Sequence, residues 1–540
     1  MTKLIQIAHN AVTAKVYYAD ERAKQEIQSA LTYQIEGAEH SEQFKDGHWD
    51  GTSSFFDWRA QTFPTGFVST IHNKLASLGY DIKIIRKPLP APRGPENPVV
   101  DPFGFAEKYD YQPETLNRLL KTGQMIAQVA TGGGKSRIAN ITTARIKRLT
   151  LFLTTRGVLM YQMKKAFESG IKHRILAGEA DLKGSKVGVL GDGVFEPSRY
   201  INVGTVQTLV SRLKLPDPTW SASRQAKHSK IRELTIKFLQ RIEFVILEEA
   251  HEASGNSYYD IMRHCKNAHY RLALTATPFM KQGAEANMRL LASAGAIGIK
   301  ISEKMLIDRG ILATPYFKYF ETQYQPDKAA ILKYEGKRDK ATGKVAMPFS
   351  TRLARTTPWQ RAYKLGIVYN AWRNSKIIEE AQRAITLGLP VMILVGHKNH
   401  GKLLSEKFTN QGVRSEFIFG DTSQAKREES LKKLGCGATQ VLIGSTILDV
   451  GVDVPSVGYV ILAGGGKAEV SLRQRVGRGL RSKKGANVCM ILDFSDNMNN
   501  HLRGHSIERK LIIERTPGFS EGMLGRGEDF NFKKMGLKAA

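Results

Sequence analysis

Apolar residues in the larger part of the chain, after residue 104, form continuous runs that alternate with amphipathic stretches. A strand with one solvated face alternates apolar and polar residues, so an unbroken apolar run predicts a strand buried on both faces. The first series of such runs is MIAQVA, LTLFLT, YINVG, FVIL and RLALT, and the second is VMILVG, SEFIFG, QVLIG, YVILA and VCMILDF. Strands separated by helices predict parallel sheets covered on both faces, and two series predict two lobes. The chain is therefore predicted to be an α/β protein.

The N-terminal residues follow a different pattern. Residues 12–18 alternate apolar and polar, as expected for a strand with one buried face. The stretch FVSTIHNKLASLGY places apolar residues at helical spacing and reaches Gly79, a residue typical of a helix C-terminus. DIKIIRK then predicts a returning strand. Residues 1–88 are therefore expected to form a small α+β domain.

Amino-acid composition indicates the domain boundaries in the rest of the chain. Residues 89–104, in PLPAPRGPENPVVDPFG, are rich in proline and glycine and predict a linker that acts as a semi-rigid spacer. Residues 105–315 hold the first series of apolar runs and residues 316–498 hold the second, with the basic YEGKRDKATGK predicted to be an exposed loop. Residues 499–540 are expected to be a basic C-terminal extension, and no structure is predicted for its end.

The charge of the chain is strongly positive. The formal net charge is +29 over 540 residues, the pI is near 9.8, and Lys and Arg are spread along the whole sequence. Basic proteins bind nucleic acids largely by neutralising phosphates, so the charge predicts a polyanionic partner. A generally basic surface with no such partner is the alternative interpretation.

The three cysteines are far apart in sequence: Cys265, Cys436 and Cys489. They provide neither a disulfide framework nor zinc-ligand spacing, which suits a reducing compartment. The N-terminus lacks an apolar core of signal-peptide length, and no run is long and apolar enough for a membrane helix. We therefore expect a soluble protein of the cytoplasm with no membrane partner.

The stretch MIAQVATGGGKSRIANI predicts a strand, a glycine turn and a helix, which is the arrangement of a phosphate-binding loop. Glycines allow backbone N–H groups to surround phosphates, Lys135 can reach the β and γ phosphates, and Ser136 can bind Mg²⁺. Val129 occupies the position where the full pattern has its first glycine. A flexible turn is the alternative, but the stretch FVILEEAH places Glu248 and Glu249 directly after a buried strand, as in the second half of an ATP site.

These two stretches and the motifs around them resemble the superfamily 2 helicases. The motifs run, in the order of that family, as YQ, TGGGKS, LTTRGVLMYQ, VGTVQTL, LEEAH, LTATP, ILVGHKNH, STILDVGVDVP and QRVGRGLR. One short match is weak, but this many in one order between Tyr111 and Arg481 are specific. The resemblance implies two tandem RecA-like parallel-sheet lobes after the small α+β N-terminal domain. It also implies a nucleic-acid-stimulated ATPase that uses ATP and Mg²⁺.

The resemblance also implies a role for each matching residue. Nucleotide contacts are implied for Gln112, Thr131, Gly132, Gly133, Gly134, Lys135, Ser136, Gly451 and Asp453, and Mg²⁺ contacts for Ser136 and Glu248. Nucleic-acid contacts are implied for Thr155, Arg156, Gln162, Thr205, Gln207, Thr208, His397 and Thr446. Coupling of the two sites is implied for His251, Thr275 and Thr277, and catalytic roles for Lys135, Glu248, Glu249, Gln474, Arg478 and Arg481.

Glu248 replaces the aspartate of the family, which keeps the charge but adds one methylene, about 1.5 Å of reach. Because Mg²⁺ keeps several waters that can absorb such a shift, activity is expected to survive. Arg478 and Arg481 are expected to be arginine fingers that meet the γ-phosphate from the second lobe, with binding to the nucleic-acid backbone as the alternative.

The N-terminal stretch FKDGHWDGTSSFFDWRAQTFPTGFVSTIHNKLASLGY resembles the N-terminal domain of phage UvsW-type helicases, which remodel branched DNA. The stretches ISEKMLIDRGILATPYF and VCMILDFSDNMNNH resemble parts of RadD-type and XPB-like DNA helicases. Both resemblances imply DNA rather than RNA as the partner. The N-terminal aromatic residues are expected mostly in the hydrophobic core rather than stacked on bases: Trp49, Phe55, Phe56, Trp58 and Phe63.

The favoured function is an ATP-dependent DNA helicase or translocase that remodels forked or branched DNA in phage-like replication, recombination or repair. Such an enzyme would act in the cytoplasm of a bacterial host, and a monomer is the favoured oligomeric state. Its expected protein partners are single-strand-binding or recombination proteins. Two alternatives stay open. One is the translocase motor of a restriction or defence system, and the other is an ATP-gated DNA-binding protein with weak hydrolysis.

Overall fold

The computed structural model describes residues 4–249, 257–279, 284–338, 345–420, 422–444, 457–466, 472–473, 476–477, 480 and 486–537. Contacts divide the chain into two compact units. The first unit contains residues 1–130 and 134–301, and the second contains residues 131–133 and 302–540.

The N-terminal part of the first unit is a small α+β structure. Its strands are β1 (Leu4–His9), β2 (Thr13–Tyr17), β3 (Thr32–Gln34), β4 (Thr52–Ser54), β5 (Thr62–Pro64) and β6 (Asp81–Arg86). Its helices are α1 (Glu21–Leu31), α2 (Glu42–Lys45) and α3 (Val68–Ser77), with 3-10 turns at Ala38–His40 and Thr65–Phe67. A sheet in the order β5–β2–β1–β6 forms its centre, with β1 and β6 parallel and the other pairs antiparallel.

The sequence pattern of this part has a direct structural counterpart. Alternation places Ala14 and Val16 of β2 in the core, and the strand ends where Tyr18 turns outward with φ +62°. The predicted helix is α3, and Gly79 beyond its end has φ +86°, which suits a residue without a side chain. The predicted returning strand is β6, so these sequence predictions are confirmed.

Residues 105–130 and 134–301 of the first unit form lobe 1. Its strands are β7 (Gln124–Val129), β8 (Thr150–Thr154), β9 (Val187–Gly191), β10 (Val194–Glu196), β11 (Ile201–Thr205), β12 (Phe244–Glu248), β13 (Tyr270–Thr275) and β14 (Ile297–Ile301). Its helices are α4 (Tyr111–Thr122), α5 (Lys135–Ile146), α6 (Gly157–Leu176), α7 (Val206–Leu213), α8 (Ala222–Arg241), α9 (Ser257–His264) and α10 (Ala284–Ala294).

The lobe 1 sheet has the order β10–β9–β11–β8–β12–β13–β7–β14, and only the β10–β9 pair is antiparallel. All residues of β8, β11, β12 and β13 are buried, as the unbroken apolar runs predict. Because the central strands are parallel, their carboxyl ends form one edge of the sheet and their amino ends form the other. We call these the carboxyl edge and the amino edge of lobe 1.

The second unit from residue 302 onward is lobe 2. Its strands are β15 (Thr314–Glu321), β16 (Lys337–Arg338), β17 (Val345–Ala346), β18 (Val391–Leu394), β19 (Ser415–Ile418), β20 (Val441–Gly444), β21 (Tyr459–Ile461) and β22 (Val488–Ser495). Its helices include α11 (Glu303–Asp308), α12 (Lys328–Glu335), α13 (Trp359–Tyr363), α14 (Ala371–Thr386), α15 (Lys398–Thr409), α16 (Gln424–Gly435) and α17 (Asn500–Glu514).

Lobe 2 contains a second parallel sheet, in the order β15–β22–β21–β18–β20–β19. Two parallel α/β lobes that follow a small α+β part confirm the predicted fold class. Residues 339–344, which include most of the predicted basic loop, lie outside the described residues.

The residues after 499 are part of lobe 2 rather than an unstructured end. Asn499 caps α17 by accepting hydrogen bonds from the backbone of the first turn, and Arg509 of this helix forms a buried ion pair with Asp493 at 2.9 Å. Phe530 and Met535 then join the hydrophobic core beneath the sheet. The tail therefore supplies core residues to lobe 2, which its mixed charge and glycine content did not indicate.

The proline-rich segment before lobe 1 lies along the lobe surface. The backbone N–H of Gly94 donates to Arg145 O at 2.9 Å, and the Tyr270 hydroxyl donates to Pro90 O at 2.7 Å. A Cβ on Gly94 would lie 1.9 Å from Ala144 O, which shows how closely the two backbones approach. Residues 90–94 of the predicted linker are therefore held against lobe 1 by hydrogen bonds of their backbone groups.

The N-terminal part also packs directly on lobe 1. A Cβ on Gly66 would lie 2.0 Å from Leu291 O of α10, and Gln124 Nε2 donates to Thr65 O at 2.9 Å. The rings of Phe55 and Tyr259 meet edge to face at 5.4 Å. Because α10 residues complete the hydrophobic core of the N-terminal part, the two form one packed body.

The N-terminal aromatic residues are divided between core and surface. Phe56 and Phe63 are buried, as expected for core residues. Trp49 is half-buried and donates its ring N–H to Thr52 O at 2.7 Å, which fixes the turn around Gly51. Trp58 is exposed and is the exception to the expectation of a core role.

Candidate functional site

The glycine turn lies at the carboxyl edge of lobe 1. β7 ends at Val129 and α5 begins at Lys135, so the chain passes from strand to helix through TGGG. Gly132 and Gly134 have φ values of +87° and +79°, which L residues with a side chain rarely adopt. A helix that starts directly after such a turn attracts phosphate, because its N-terminal N–H groups and its dipole point at the anion.

The end of β12 places two carboxylates beside this turn. Lys135 Nζ lies 3.1 Å from Glu249 Oε1, and both side chains are mostly buried. Glu249 has φ +46°, an uncommon value for a residue with a side chain, and its backbone N–H donates to Leu274 O at 3.1 Å. The chain therefore turns sharply at the end of the strand and directs this carboxylate towards Lys135. Backbone strain of this kind is concentrated at functional sites.

Glu248 is the last residue of β12 and is 6% exposed. The Tyr258 hydroxyl donates to its backbone carbonyl at 2.7 Å, which fixes the strand end. A nucleotide with Mg²⁺ needs a hydroxyl, one or two carboxylates and phosphate oxygens. Ser136, Glu248 and Glu249 provide these donor types at one edge of the sheet. Among the described residues there is no group of three or more His, Cys, Asp or Glu that could hold a metal ion alone.

Gln112, which is predicted to contact the nucleotide, is held in place from two sides. Gln112 is buried in α4, and its Oε1 accepts a hydrogen bond from Arg137 Nη1 at 2.5 Å. A Cβ on Gly134 would lie 2.7 Å from Gln112 Nε2, so the amide lies directly against the glycine turn. Since Arg137 can only donate, it fixes which way the amide faces.

Arg137 is itself held by the proline-rich segment. Its Nε donates to Asp101 Oδ2 at 2.5 Å and its Nη2 donates to Gly104 O at 2.5 Å. Sequence reasoning assigned no role to Arg137 or Asp101. The arginine directly follows the KS of the glycine turn, which is a usable signal, whereas nothing in the sequence connects Asp101 with it across the intervening residues.

The predicted coupling residues of the LTATP motif lie at the end of β13, the strand next to β12. Thr275 and Thr277 are both buried, and the backbone N–H of Thr277 donates to Thr275 Oγ1 at 3.2 Å. Gln128 of β7 donates to Ala276 O at 3.3 Å, which joins this turn to the strand before the glycine turn. The structure therefore brings the two threonines to the same edge as Glu248.

The predicted nucleic-acid contacts of lobe 1 lie further along the carboxyl edge, after β8 and β11. Gln207 Nε2 donates to Thr155 O at 2.8 Å, so the two loops are joined. Thr205 Oγ1 donates to Thr208 Oγ1 at 2.9 Å. Arg156 is exposed at the start of α6. Gln162, which lies further along α6, is half-buried.

In lobe 2, His397 caps α15, where its Nδ1 accepts from Asn399 N at 3.2 Å. Burial lowers the pKa of His397, so the imidazole is neutral at physiological pH and can accept this hydrogen bond. The remaining predicted site residues lie outside the described residues: His251, Thr446, Gly451, Asp453, Gln474, Arg478 and Arg481.

Two protein-family models match the sequence. The model described as "Type III restriction enzyme, res subunit" matches residues 106–280. The model described as "Helicase conserved C-terminal domain" matches residues 375–483. The first match lies in lobe 1 and the second in lobe 2, in the order that the motifs predicted.

Three curated relatives have similar sequences. "ATP-dependent DNA helicase uvsW" of Enterobacteria phage T4 is 20% identical over 514 residues, which covers 91% of this chain and 91% of the relative. "Putative helicase 22" of Sulfolobus islandicus filamentous virus is 24% identical over 296 residues, which covers 55% of this chain and 49% of the relative. "Putative ATP-dependent helicase IRC3" of Saccharomyces cerevisiae is 24% identical over 407 residues, which covers 71% of this chain and 51% of the relative. The chain thus spans about half the length of the last two relatives.

A solved structure supports the fold. The crystal structure of the DUF1998 helicase MrfA bound to DNA covers 80% of this chain and 52% of its own chain, with a TM-score of 0.50 and 12% identity. Within the described part of this chain, no helix has the length and apolar character of a membrane span.

Proposed function

This chain is a superfamily 2 helicase that resembles UvsW, and on that premise we propose that it couples ATP hydrolysis to the remodelling of forked or branched DNA. The observation that carries the ATPase part is the pairing of Lys135 with Glu249 at 3.1 Å beside the glycine turn. The similarity to a DNA helicase over 91% of the chain supports the DNA part.

Nucleotide binding would use the ion pair that the protein already contains. The phosphates of ATP would attract Lys135 away from Glu249, because a phosphate carries more negative charge than one carboxylate. The freed Glu249 carboxylate would then orient and deprotonate the attacking water. When bound, Mg²⁺ would neutralise charge on the β and γ phosphates, with Ser136 and Glu248 as its protein ligands. The fixed amide of Gln112 would contact the adenine.

DNA would be held by the loops that follow β8 and β11. The hydroxyls of Thr155, Thr205 and Thr208 and the guanidinium of Arg156 are groups that bind phosphates without regard to base sequence. We propose the same role for Gln162, Gln207, His397 and Thr446. Gly451, Asp453, Gln474, Arg478 and Arg481 are proposed to complete the nucleotide site from lobe 2, with Arg478 and Arg481 as arginine fingers.

The N-terminal part supports the proposal for branched substrates. It is packed on α10 of lobe 1, so it moves with that lobe and does not swing on a tether. A fixed second surface beside a motor can hold one arm of a junction while the lobes act on another arm. The proposed setting is the cytoplasm, of a bacterial host if the chain is phage-encoded, with single-strand-binding or recombination proteins as partners.

The test is to measure steady-state ATP hydrolysis with forked DNA, linear duplex, single strands and RNA on one preparation, together with fork regression. We expect DNA to stimulate hydrolysis and forked DNA to be the best substrate. A Lys135→Ala variant is the control for contaminating ATPases. Equal stimulation by RNA and DNA, or hydrolysis without fork regression, would contradict the proposal.

The match of residues 106–280 to a restriction-enzyme model favours a second candidate, a translocase motor that serves a separate nuclease. This candidate predicts a nuclease subunit that co-purifies with the chain and DNA cleavage that depends on ATP. The first candidate predicts strand remodelling by the isolated chain. Assaying purified chain alone for remodelling and for cleavage therefore separates the two.

A further inference from the structure

A second charged cavity lies on lobe 1, away from the nucleotide site. Its lining includes five cationic side chains and one carboxylate, Glu243. The cationic residues are Arg93, Lys147, Arg148, Arg199 and Arg241. The cavity has a volume of about 580 Å³, and we call it the basic cleft.

The basic cleft lies at the amino edge of the lobe 1 sheet. Its lining residues directly precede four neighbouring strands: Leu149 precedes β8, Tyr200 precedes β11, Glu243 precedes β12 and His269 precedes β13. The glycine turn, Glu248 and Thr275 lie at the opposite ends of the same sheet. Strands of five or six residues separate the two edges by about 16–20 Å. The basic cleft is therefore distinct from the site that binds nucleotide.

The cations of the cleft fall into two groups. Lys147 lies 2.8 Å from Glu179, and Arg148 lies 2.5 Å from Glu243, so these two charges are compensated within the protein. Arg93, Arg199 and Arg241 are exposed and have no ion-pair partner among the described residues. The three arginines of the second group therefore give the cleft an excess of positive charge that no ion pair among the described residues neutralises.

The walls of the cleft are rigid. One wall is the proline-rich segment, where Arg148 Nη2 donates to Ala91 O at 2.8 Å and the Tyr270 hydroxyl donates to Pro90 O. Another wall is the end of α8, where Asn267 Nδ2 donates to Gln240 O at 2.8 Å. Hydrogen bonds thus hold the backbone that carries Arg93 and Arg241. Burial, Arg271, Arg148 and Lys87 together lower the pKa of His269, against a smaller opposite effect of Glu243, so its ring is neutral at physiological pH.

We propose that the basic cleft binds the sugar–phosphate backbone of a DNA duplex arm through Arg93, Arg199 and Arg241. This proposal rests on the proposed function, since it gives a junction-remodelling enzyme a second DNA contact on lobe 1. A polymer suits the site better than a small anion. Small-anion sites bury convergent donors, whereas these three guanidinium groups are exposed around an open cavity, as in proteins that gain affinity by releasing counterions from DNA.

The test compares two variants with the same change of charge on the same lobe. The first is Arg199→Glu with Arg241→Glu, in the cleft. The control is Lys227→Glu with Lys230→Glu, which are exposed on α8 three to four turns away from Arg241. Affinity for forked DNA is measured by fluorescence anisotropy at several salt concentrations, and thermal unfolding confirms that each variant is folded. Arg199→Gln with Arg241→Gln is measured too and replaces the glutamate variant if that variant does not fold.

The cleft variant is expected to bind forked DNA about tenfold more weakly at physiological salt, and its log–log salt slope is expected to be shallower by about 1.8, as for two lost phosphate contacts on duplex. The control variant is expected to retain the native slope. ATP hydrolysis stimulated by a short single strand is expected to be unchanged in both, because that strand is held at the carboxyl edge.

The outcomes separate this proposal from the proposed function. If native protein shows no DNA-stimulated hydrolysis, the proposed function itself is wrong. If native protein is stimulated but the cleft variant keeps the native affinity and slope, only the cleft proposal is overturned. Equal losses in the cleft and control variants would indicate diffuse charge rather than a site. If the cleft variant keeps the native salt slope for DNA but binds inorganic phosphate or ATP more weakly, the cleft is a site for a free phosphate compound. This result would also overturn the proposal.

Discussion

The two edges of the lobe 1 sheet are built from the same strands but differ in whether their charged side chains are buried and paired or exposed and unpaired. At the carboxyl edge, Lys135 and Glu249 are mostly buried and paired with each other. At the amino edge, Arg199 and Arg241 are exposed and have no partner among the described residues. A ligand that binds at a buried ion pair must enter the site and replace one of the two charged partners. An exposed cation without a partner instead attracts a polyanion, which remains in water and releases counterions when it binds.

This difference has a consequence for mutation. A buried charge that loses its partner is destabilising and changes chemistry, whereas an exposed cation can be removed at little cost to the fold. Variants at the buried Lys135–Glu249 pair should therefore change ATP turnover, and variants at the exposed arginines of the amino edge should change DNA affinity and its salt dependence. Four predictions test this separation.

The largest effect is expected for Lys135→Ala. We expect ATP turnover to fall by about a thousandfold, about 4 kcal/mol of transition-state stabilisation, because the phosphates lose their main cation. Affinity for forked DNA without nucleotide should stay near the native value. The measurements are single-turnover hydrolysis and anisotropy on the same preparation. A large loss of nucleotide-free DNA affinity would show that the Lys135–Glu249 pair also contributes to DNA binding.

Removing the side chain that holds Gln112 is expected to have a smaller effect. In Arg137→Ala the amide loses the donor that fixes its Oε1, so we expect the KM for ATP to rise about tenfold, about 1.4 kcal/mol, with kcat changed less. Asp101→Asn weakens the ion pair that holds Arg137 but leaves the arginine side chain in place, so an intermediate KM is expected. Steady-state kinetics with ATP and GTP measure the effect. An unchanged KM in both variants would mean that the arginine serves stability alone.

The natural glutamate of the LEEAH motif gives the third prediction. Glu248→Asp shortens the side chain at the end of β12, and we expect hydrolysis to stay within about tenfold of native, about 1.4 kcal/mol, because Mg²⁺-bound waters absorb the shift. Single-turnover hydrolysis over a range of Mg²⁺ concentrations is the measurement. A gain of several orders of magnitude would show that Glu248 disables the native site.

The smallest effect is expected at the amino edge. Glu243→Gln removes the only carboxylate that lines the basic cleft within the described residues, and it frees Arg148 to contact a phosphate. We expect a salt slope steeper by about 0.9 on duplex DNA and a modest gain in fork affinity, with ATP turnover unchanged. Asp181→Asn, which weakens the neighbouring pair of Lys147 outside the lining, is a matched control. A gain equal in both variants would argue against a defined cleft.

Much of the lobe architecture could be predicted from sequence. The ten apolar runs correspond to strands because a strand that is buried on both faces is built mostly from apolar residues, as in TLFLT of β8. β9 and β15 were missed for physical reasons. VGVLG of β9 contains two glycines. TPYFKYFE of β15 contains a proline and Lys318, whose buried ammonium lies 2.8 Å from both Glu380 and Asp529.

The candidate site was predictable where function depends on local order along the chain. The placement of Lys135 and Glu248 at the carboxyl edge was predictable, because Lys135 follows one apolar strand across a glycine turn and Glu248 ends another strand. The φ of +46° at Glu249 and the contact of Asp101 with Arg137 were not predictable, since both depend on neighbours from other elements. The docking of the N-terminal part was missed for the same reason. Gly66 looks like a turn residue in sequence, and only α10 shows why a side chain cannot fit there.

The docking on α10 also affects how the protein is made. Gly66 leaves the ribosome roughly 225 residues before Leu291, the residue on whose backbone it packs. At about 5–20 residues per second, that interval is roughly 10–45 s. During this time the N-terminal part lacks the α10 side chains that complete its core. The nascent chain thus depends on a late segment to complete the hydrophobic core of an early one.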